Sequence, residues 1–119
     1  MSRIANVSAA ALALFTAALH GLVGTFDTLQ PVLDADLPLA VRGTMAACWH
    51  FLTVFMLCSA WVFLKKRPES RMFASLWVAA AVAFIVTAVT MGGLSGLLTL
   101  PQWTLLLPTG GIALFAARA

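Results

Sequence analysis

The segment RGTMAACWHFLT, residues 42–53, places an imidazole, an indole and two hydroxyls in an otherwise apolar stretch that continues to Leu64. A helix that crosses the hydrocarbon core of a bilayer needs about 20 apolar residues. We therefore expect a transmembrane helix from about residue 43 to residue 64, with polar side chains at positions that would ordinarily face lipid.

The composition of the whole chain agrees with this expectation. Of the 119 residues, 62% are hydrophobic and 9% are charged, whereas soluble domains have about 45–50% apolar residues. Further apolar stretches predict spans at about residues 5–26, 72–91 and 101–117. The predicted fold is an all-α polytopic membrane protein, in which residues 1–119 form one transmembrane domain, a four-transmembrane-helix antiparallel bundle.

The first apolar stretch has a second interpretation, a cleaved secretory signal peptide that follows Arg3. Two observations favour an uncleaved helix. The stretch is long enough to span a membrane, and no small-x-small cleavage site is followed by a polar mature sequence.

The connections between the spans differ in charge. Residues 27–41 carry three aspartates, and Pro31 and Pro38 are expected to prevent a regular helix there. Residues 65–71 form a compact basic loop. The glycines at 92–96 should loosen the chain after the third span, and Pro101 suits the first turn of a fourth helix. Within that helix, Pro108 and the two glycines that follow it are expected to bend or break it.

The basic residues predict the orientation. Lys65, Lys66, Arg67 and Arg71 assign the 65–71 loop to the cytoplasm, which leaves both termini cytoplasmic and only Arg42, of seven basic residues, outside. Because the positive charges flank apolar stretches, the net charge of +3 indicates topology rather than nucleic-acid binding. The expected partner is the lipid bilayer, and no nucleic acid is expected.

Tryptophans and cysteines add smaller expectations. Trp61, Trp77 and Trp103 lie near predicted span ends, as in an interfacial aromatic belt, whereas Trp49 should pack inside the bundle. Cys48 and Cys58 are ten residues apart in one predicted helix, too distant for a disulfide, and are expected to be small buried hydrophobes.

The candidate site lies between the first two spans. On the first helix, Thr16, His20, Gly24 and Asp27 recur at intervals of three and four residues and should form one stripe. On the second helix, Arg42, Trp49 and Thr53 should share a face, with His50 beside it. Both histidines are expected about 10 Å below the outer boundary, at 1.5 Å per residue. The candidate ligand-binding residues are His20, Asp27, Arg42, Trp49, His50 and Thr53.

An unsatisfied polar group in hydrocarbon costs several kcal/mol, so both imidazoles should have a ligand or a hydrogen-bond partner. Three hypotheses describe these partners. His20 and His50 could ligate a metal ion or a b-type haem. With Asp27 and Arg42 they could form a proton-responsive or small-ligand pocket. Alternatively, their hydrogen bonds only fix the register of the helices.

No catalytic motif is recognisable in the sequence, so an enzyme is the less favoured class. The preferred prediction is a non-enzymatic accessory or structural membrane component with a polar cluster in the outer half of the bundle. The alternative is a cofactor-, metal- or ion-handling protein that uses His20 and His50.

A transporter would need a homodimer or a larger assembly, so a homo-oligomer or a membrane-protein partner is left open. Small multidrug transporters place an acidic residue inside the first span. Here Asp27 lies at its outer edge, which argues against cation–proton exchange.

Short motifs spread over most of the chain resemble a group of small, uncharacterised four-span inner-membrane proteins of bacteria. They are His20-Gly21, Pro31, Asp36-Leu37-Pro38, Arg42, Trp49-His50-Phe51-Leu52-Thr53 and Leu100-Pro101-Gln102-Trp103. The segment Pro108-Thr109-Gly110-Gly111 is similar to the end of another small membrane family. The resemblance implies a bacterial inner (plasma) membrane protein, and it implies no activity.

Overall fold

The computed structural model describes residues 2–118, which are helical over most of their length and include no strand. Helix α1 (Ser2–Ala18) continues through two π-helical segments, Leu19–Val23 and Thr25–Leu29, into the short helix α2 (Gln30–Asp34). Three further helices follow, α3 (Leu39–Leu64), α4 (Ser70–Thr99) and α5 (Trp103–Arg118). The all-α class predicted from the sequence is therefore confirmed for these residues.

Among residues 2–118, three helical stretches are long and apolar enough to cross a membrane. They are Arg3–Val23, Leu39–Leu64 and Ser70–Thr99, with mean hydropathies of 1.6, 1.8 and 2.3. Large apolar side chains cover their outer surfaces, among them Phe51 at 69% exposure and Leu98 at 84%. Soluble monomers rarely expose contiguous apolar surface on this scale. Helix α5 has 16 residues, about 24 Å at 1.5 Å per residue, which is less than the hydrocarbon thickness of about 30 Å.

Small side chains dominate the core. Helix α1 packs against α3 and α5, α5 also packs against α4, and the contact between α3 and α4 is smaller. Ala9, Ala13 and Ala17 are buried on α1, and residues of this size let helices approach closely without a large side chain between them. The largest fully buried side chains, Trp77 and Phe63, belong to the same core cluster as these alanines.

Helix α5 contains a proline, and its contact with α4 depends on a glycine. Helix α5 includes Pro108 and remains helical from Trp103 to Arg118, so of the expected bend or break, the break does not occur. Gly110 is buried, and a Cβ atom there would lie 2.9 Å from the Ala74 carbonyl oxygen. The absence of a side chain at this position is what allows α5 to lie directly against the α4 backbone.

Helix α4 is interrupted near its end. At 30 residues it would be about 45 Å long if straight, more than the hydrocarbon thickness requires. Gly93 has φ 62° and ψ −156°, outside the helical region. The chain folds back at this residue, so that Gly96 packs against the Ala88 backbone. The loosening expected over residues 92–96 is thus concentrated in one glycine.

The first connection is shorter than the sequence suggested. Residues 27–34 are helical, and the backbone leaves helical structure only around residues 35–38. The expectation that Pro31 prevents a helix was wrong, because the chain remains helical from the π-helical segment Thr25–Leu29 into α2, which includes Pro31. Pro38 does precede a helix, as the N-cap residue of α3.

Several smaller expectations also need correction. Trp77 is 1% exposed and belongs to the core rather than to an interfacial belt, whereas Trp61 is 54% exposed. Trp103 is half-buried, and its indole N–H donates to the Leu97 carbonyl at 3.1 Å. Cys48 and Cys58 are free thiols and both are exposed, so the expected burial of these two residues was wrong. Their separation of ten residues on one helix does not indicate whether either side chain faces the core.

The two ends of the described chain lie at the same end of the molecule. One cavity is lined by Asn6 near the start of α1, by the loop between α3 and α4, and by Ala116 and Ala117 at the end of α5. Helix α5 therefore returns the chain to the level at which α1 begins.

Candidate functional site

His20 and Trp49 meet where the first π-helical segment lies against α3. Their rings stack with centroids 4.0 Å apart and an interplanar angle of 17°. The His20 Nε2 atom is 3.1 Å from the Trp49 carbonyl oxygen. A carbonyl oxygen only accepts hydrogen bonds, so Nε2 carries the proton and donates it. The histidine thus bonds the backbone of the neighbouring helix and covers the indole of the same residue.

Two hydroxyls complete a connected set of hydrogen bonds around Trp49. The Trp49 indole N–H donates to Thr25 Oγ1 at 3.2 Å, and that hydroxyl donates to the Gly21 carbonyl at 2.7 Å. From the other side, Thr53 Oγ1 donates to the Trp49 carbonyl at 3.3 Å. We call His20, Thr25, Trp49 and Thr53 the Trp49 cluster. Its hydrogen bonds join the first helical stretch to α3.

Two glycines make room for the cluster. A Cβ atom on Gly21 would lie 3.2 Å from Thr53 Cγ2, and one on Gly24 would lie 2.8 Å from a ring carbon of Trp49. The second distance is shorter than real side-chain contacts. The indole therefore occupies the space directly above the Gly24 backbone.

The π-helical segments decide which side chains reach Trp49. The Gly24 N–H bonds the Leu19 carbonyl, and the Gln30 N–H bonds the Thr25 carbonyl, both five residues back. Each such turn includes one residue more than an α-helical turn, which rotates the following side chains by about 100°. Thr25 consequently faces Trp49.

The structure brings together three of the six predicted site residues, His20, Trp49 and Thr53. His50 follows Trp49 in α3 but is exposed. Asp27, predicted to continue the His20 stripe, is also exposed.

Arg42 lies away from the Trp49 cluster, at the start of α3. Its Nη1 donates to the Leu33 carbonyl at 3.0 Å, and its buried Nε has no hydrogen-bond partner. The guanidinium therefore links the end of the first helical stretch to the start of α3.

The metal hypothesis rests on His20 and His50 alone. Among residues 2–118 no group of three or more His, Cys, Asp or Glu side chains is arranged to hold a metal ion. The Nε2–H group of His20 donates its hydrogen bond to the Trp49 carbonyl. The Nδ1 atom of the same ring therefore carries the lone pair that could bind a metal ion.

Thr25 was not anticipated. Spacings of three and four residues from His20 select Gly24 and Asp27, and only the wider π turn at Leu19–Val23 brings Thr25 to the indole. The nearest signal in the sequence is the pair Gly21 and Gly24, which marks a close approach of another chain segment without identifying which residue approaches.

These features define a protein whose described residues form an all-helical fold, with three helices able to cross a membrane and a polar cluster joining the first two of them. Comparison with protein families, curated proteins and solved structures finds no match for this chain. The resemblance to small four-span proteins therefore rests on the short motifs alone.

Proposed function

We propose that the protein is a non-enzymatic integral membrane component, an accessory or structural protein, in which the Trp49 cluster holds the first two spans in register. The observation that carries this proposal is that the polar groups around Trp49 bond one another. The His20 Nε2–H, the indole N–H and both threonine hydroxyls each have an acceptor within the cluster or its own helices.

The energetics support a positional role. Hydrogen bonds between membrane helices contribute about 0.6 kcal/mol on average, and an aromatic stack adds about 0.5–1.5 kcal/mol. These values are small beside the energy of packing whole helices. The contacts are nevertheless specific to one register, because moving α3 by one residue would leave the His20 and Trp49 donors without acceptors in hydrocarbon.

The proposed architecture is a four-span bundle in a bacterial inner membrane with both termini in the cytoplasm. The shared cavity at Asn6 and Ala116 supports an even number of crossings, with α5 as the fourth. Six of seven basic residues favour the same orientation. Enzyme or fluorescent-protein fusions at Arg118 and within the 65–71 loop should both report a cytoplasmic location. A periplasmic location for either of them would refute the topology.

The matched pair His20→Ala and His50→Ala tests the structural role. The first loses the stack and the hydrogen bond to Trp49, and we expect it to unfold about 1–3 kcal/mol more easily. The second removes an exposed side chain that takes part in none of these hydrogen bonds, and it should not lower the stability. Denaturation in detergent followed by circular dichroism measures both, and equal losses would contradict the proposal.

The alternative is a cofactor-, metal- or ion-handling protein that uses both histidines. It has less support because His50 is exposed and His20 already bonds a carbonyl. Protein purified from cells supplied with haem precursor and transition metals should show neither a Soret band nor stoichiometric metal. A Soret band or bound metal that disappears in both alanine variants would establish the alternative instead.

A further inference from the structure

A cavity of about 490 Å³ opens at the end of the molecule opposite the first connection. Lys66, Arg67 and Arg71 line it together with Pro68, Ser70 and the termini of α1 and α5. Its volume is within the range of about 300–1,000 Å³ that small-molecule sites occupy. The cavity is therefore a second candidate site, separate from the Trp49 cluster.

Two of the three cations lack an acidic partner. Within the part of the chain that the structure describes, the only ion pair joins Arg67 Nε to Glu69 Oε2 at 3.7 Å. Arg67 also lies over the Trp61 ring, 5.5 Å from its centroid. Among residues 2–118, Lys66 and Arg71 have no carboxylate within ion-pair distance, so no described side chain compensates their positive charge.

The backbone around the cavity is held in place. The Lys66 N–H bonds the Phe63 carbonyl and the Arg67 N–H bonds the Val62 carbonyl, the pattern of a Schellman motif that ends α3. The buried Ser70 hydroxyl donates to the same Val62 carbonyl at 3.3 Å. The cationic side chains therefore project from a loop with a defined shape.

Lys66 occupies a position at which glycine is conformationally favoured. Its φ is 51°, in the left-handed region that disfavours residues with a Cβ atom. The Schellman motif usually places glycine here for that reason. A lysine at this position is unfavourable for the backbone, and its side chain lines the cavity. Strained non-glycine residues of this kind are concentrated at binding sites.

We propose that this cavity binds the phosphate group of an anionic phospholipid headgroup through Lys66 and Arg71. Basic pockets between helices at the cytoplasmic surface suit such headgroups, and the guanidinium and ammonium groups supply charge-assisted hydrogen bonds to phosphate oxygens. The lipid source rests on the proposed insertion in a membrane, whereas recognition of phosphate follows from the cavity itself.

The binding test uses the full chain purified in neutral detergent. Short-chain phosphatidylglycerol, short-chain phosphatidylcholine and inorganic phosphate are titrated separately in a calorimeter at low salt. We expect saturable binding of phosphatidylglycerol, at least tenfold tighter than binding of the zwitterionic lipid. If inorganic phosphate binds as tightly as phosphatidylglycerol, the phosphate site stands and its ligand is a free phosphate compound.

Three variants distinguish recognition from general attraction. Lys66→Gly with Arg71→Ala should weaken phosphatidylglycerol binding on the order of thirtyfold, since each basic residue near an anionic surface contributes about a fivefold factor. Lys65→Ala removes the same charge from an exposed neighbour that does not line the cavity and should change the affinity less than twofold. Lys66→Gly alone should bind about fivefold more weakly.

Stability separates a binding role from a structural one. Because glycine adopts φ 51° without steric conflict, Lys66→Gly should melt at the same temperature as the wild type or higher while it binds more weakly. Equal weakening by Lys65→Ala and Lys66→Gly, or no binding of either phosphate ligand, would overturn the proposal. Neither result would bear on membrane insertion, which the topology fusions measure independently.

Discussion

Replacement of Gly110 by alanine tests the closest helix contact in the structure. The added Cβ atom would lie 2.9 Å from both the Ala74 carbonyl oxygen and the Val78 backbone nitrogen, and 2.8 Å from Val78 Cγ2. An ordinary contact begins near 3.4 Å, so α5 would have to withdraw from α4 by about half an ångström. Two of the three obstructing atoms belong to backbone, which cannot change rotamer.

The expected loss follows from two opposed terms. Overpacking of a close contact destabilises by about 1–3 kcal/mol, whereas the exchange of glycine for alanine within a helix stabilises by about 0.5–1 kcal/mol. We expect the packing term to exceed the helix term, so that Gly110→Ala unfolds up to about 2 kcal/mol more easily than the wild type.

Gly111 is the matched control for this measurement. A Cβ atom at Gly111 meets nothing within 4 Å, so Gly111→Ala should keep only the favourable helix term and gain up to about 1 kcal/mol. Both variants are titrated with a denaturing detergent in mixed micelles and followed by circular dichroism. If Gly110→Ala is as stable as Gly111→Ala, the close α4–α5 contact and the reasoning built on it are refuted.

Two further substitutions follow from the geometry. Gly93→Ala should lose about 1–3 kcal/mol of stability in the same assay, because φ 62° with ψ −156° is accessible essentially only to glycine. Gly92→Ala is the control: a Cβ atom there also meets nothing, and this variant should lose no stability. Similar losses in the two variants would show that the break at Gly93 is not required. Thr25→Val should lose about 1 kcal/mol by leaving the Trp49 indole N–H without its acceptor. Thr25→Ser should retain the wild-type stability, and a loss as large as that of valine would place the effect in packing instead.

The sequence by itself determined the helical class and the position of the long apolar helices. Apolar stretches of this length, interrupted by prolines and charges, have few alternatives to helices, because hydrocarbon forces every backbone group to be bonded within its own segment. The approach of His20 to the start of the Trp49-His50 segment was likewise predictable, since antiparallel neighbours joined by a short connection bring residues of equal depth together.

Only the tertiary structure decided which side chains meet. The π turn at Leu19–Val23 rotates the chain that follows it, so that Thr25 reaches the indole, and an assumed period of 3.6 residues could not indicate this. His50 is exposed because Trp49 takes the position against His20. The backbone conformation of Lys66, with φ 51°, and its cavity could not be predicted from the sequence either. A basic loop in the sequence shows the charge, but not how four helix ends are arranged around it.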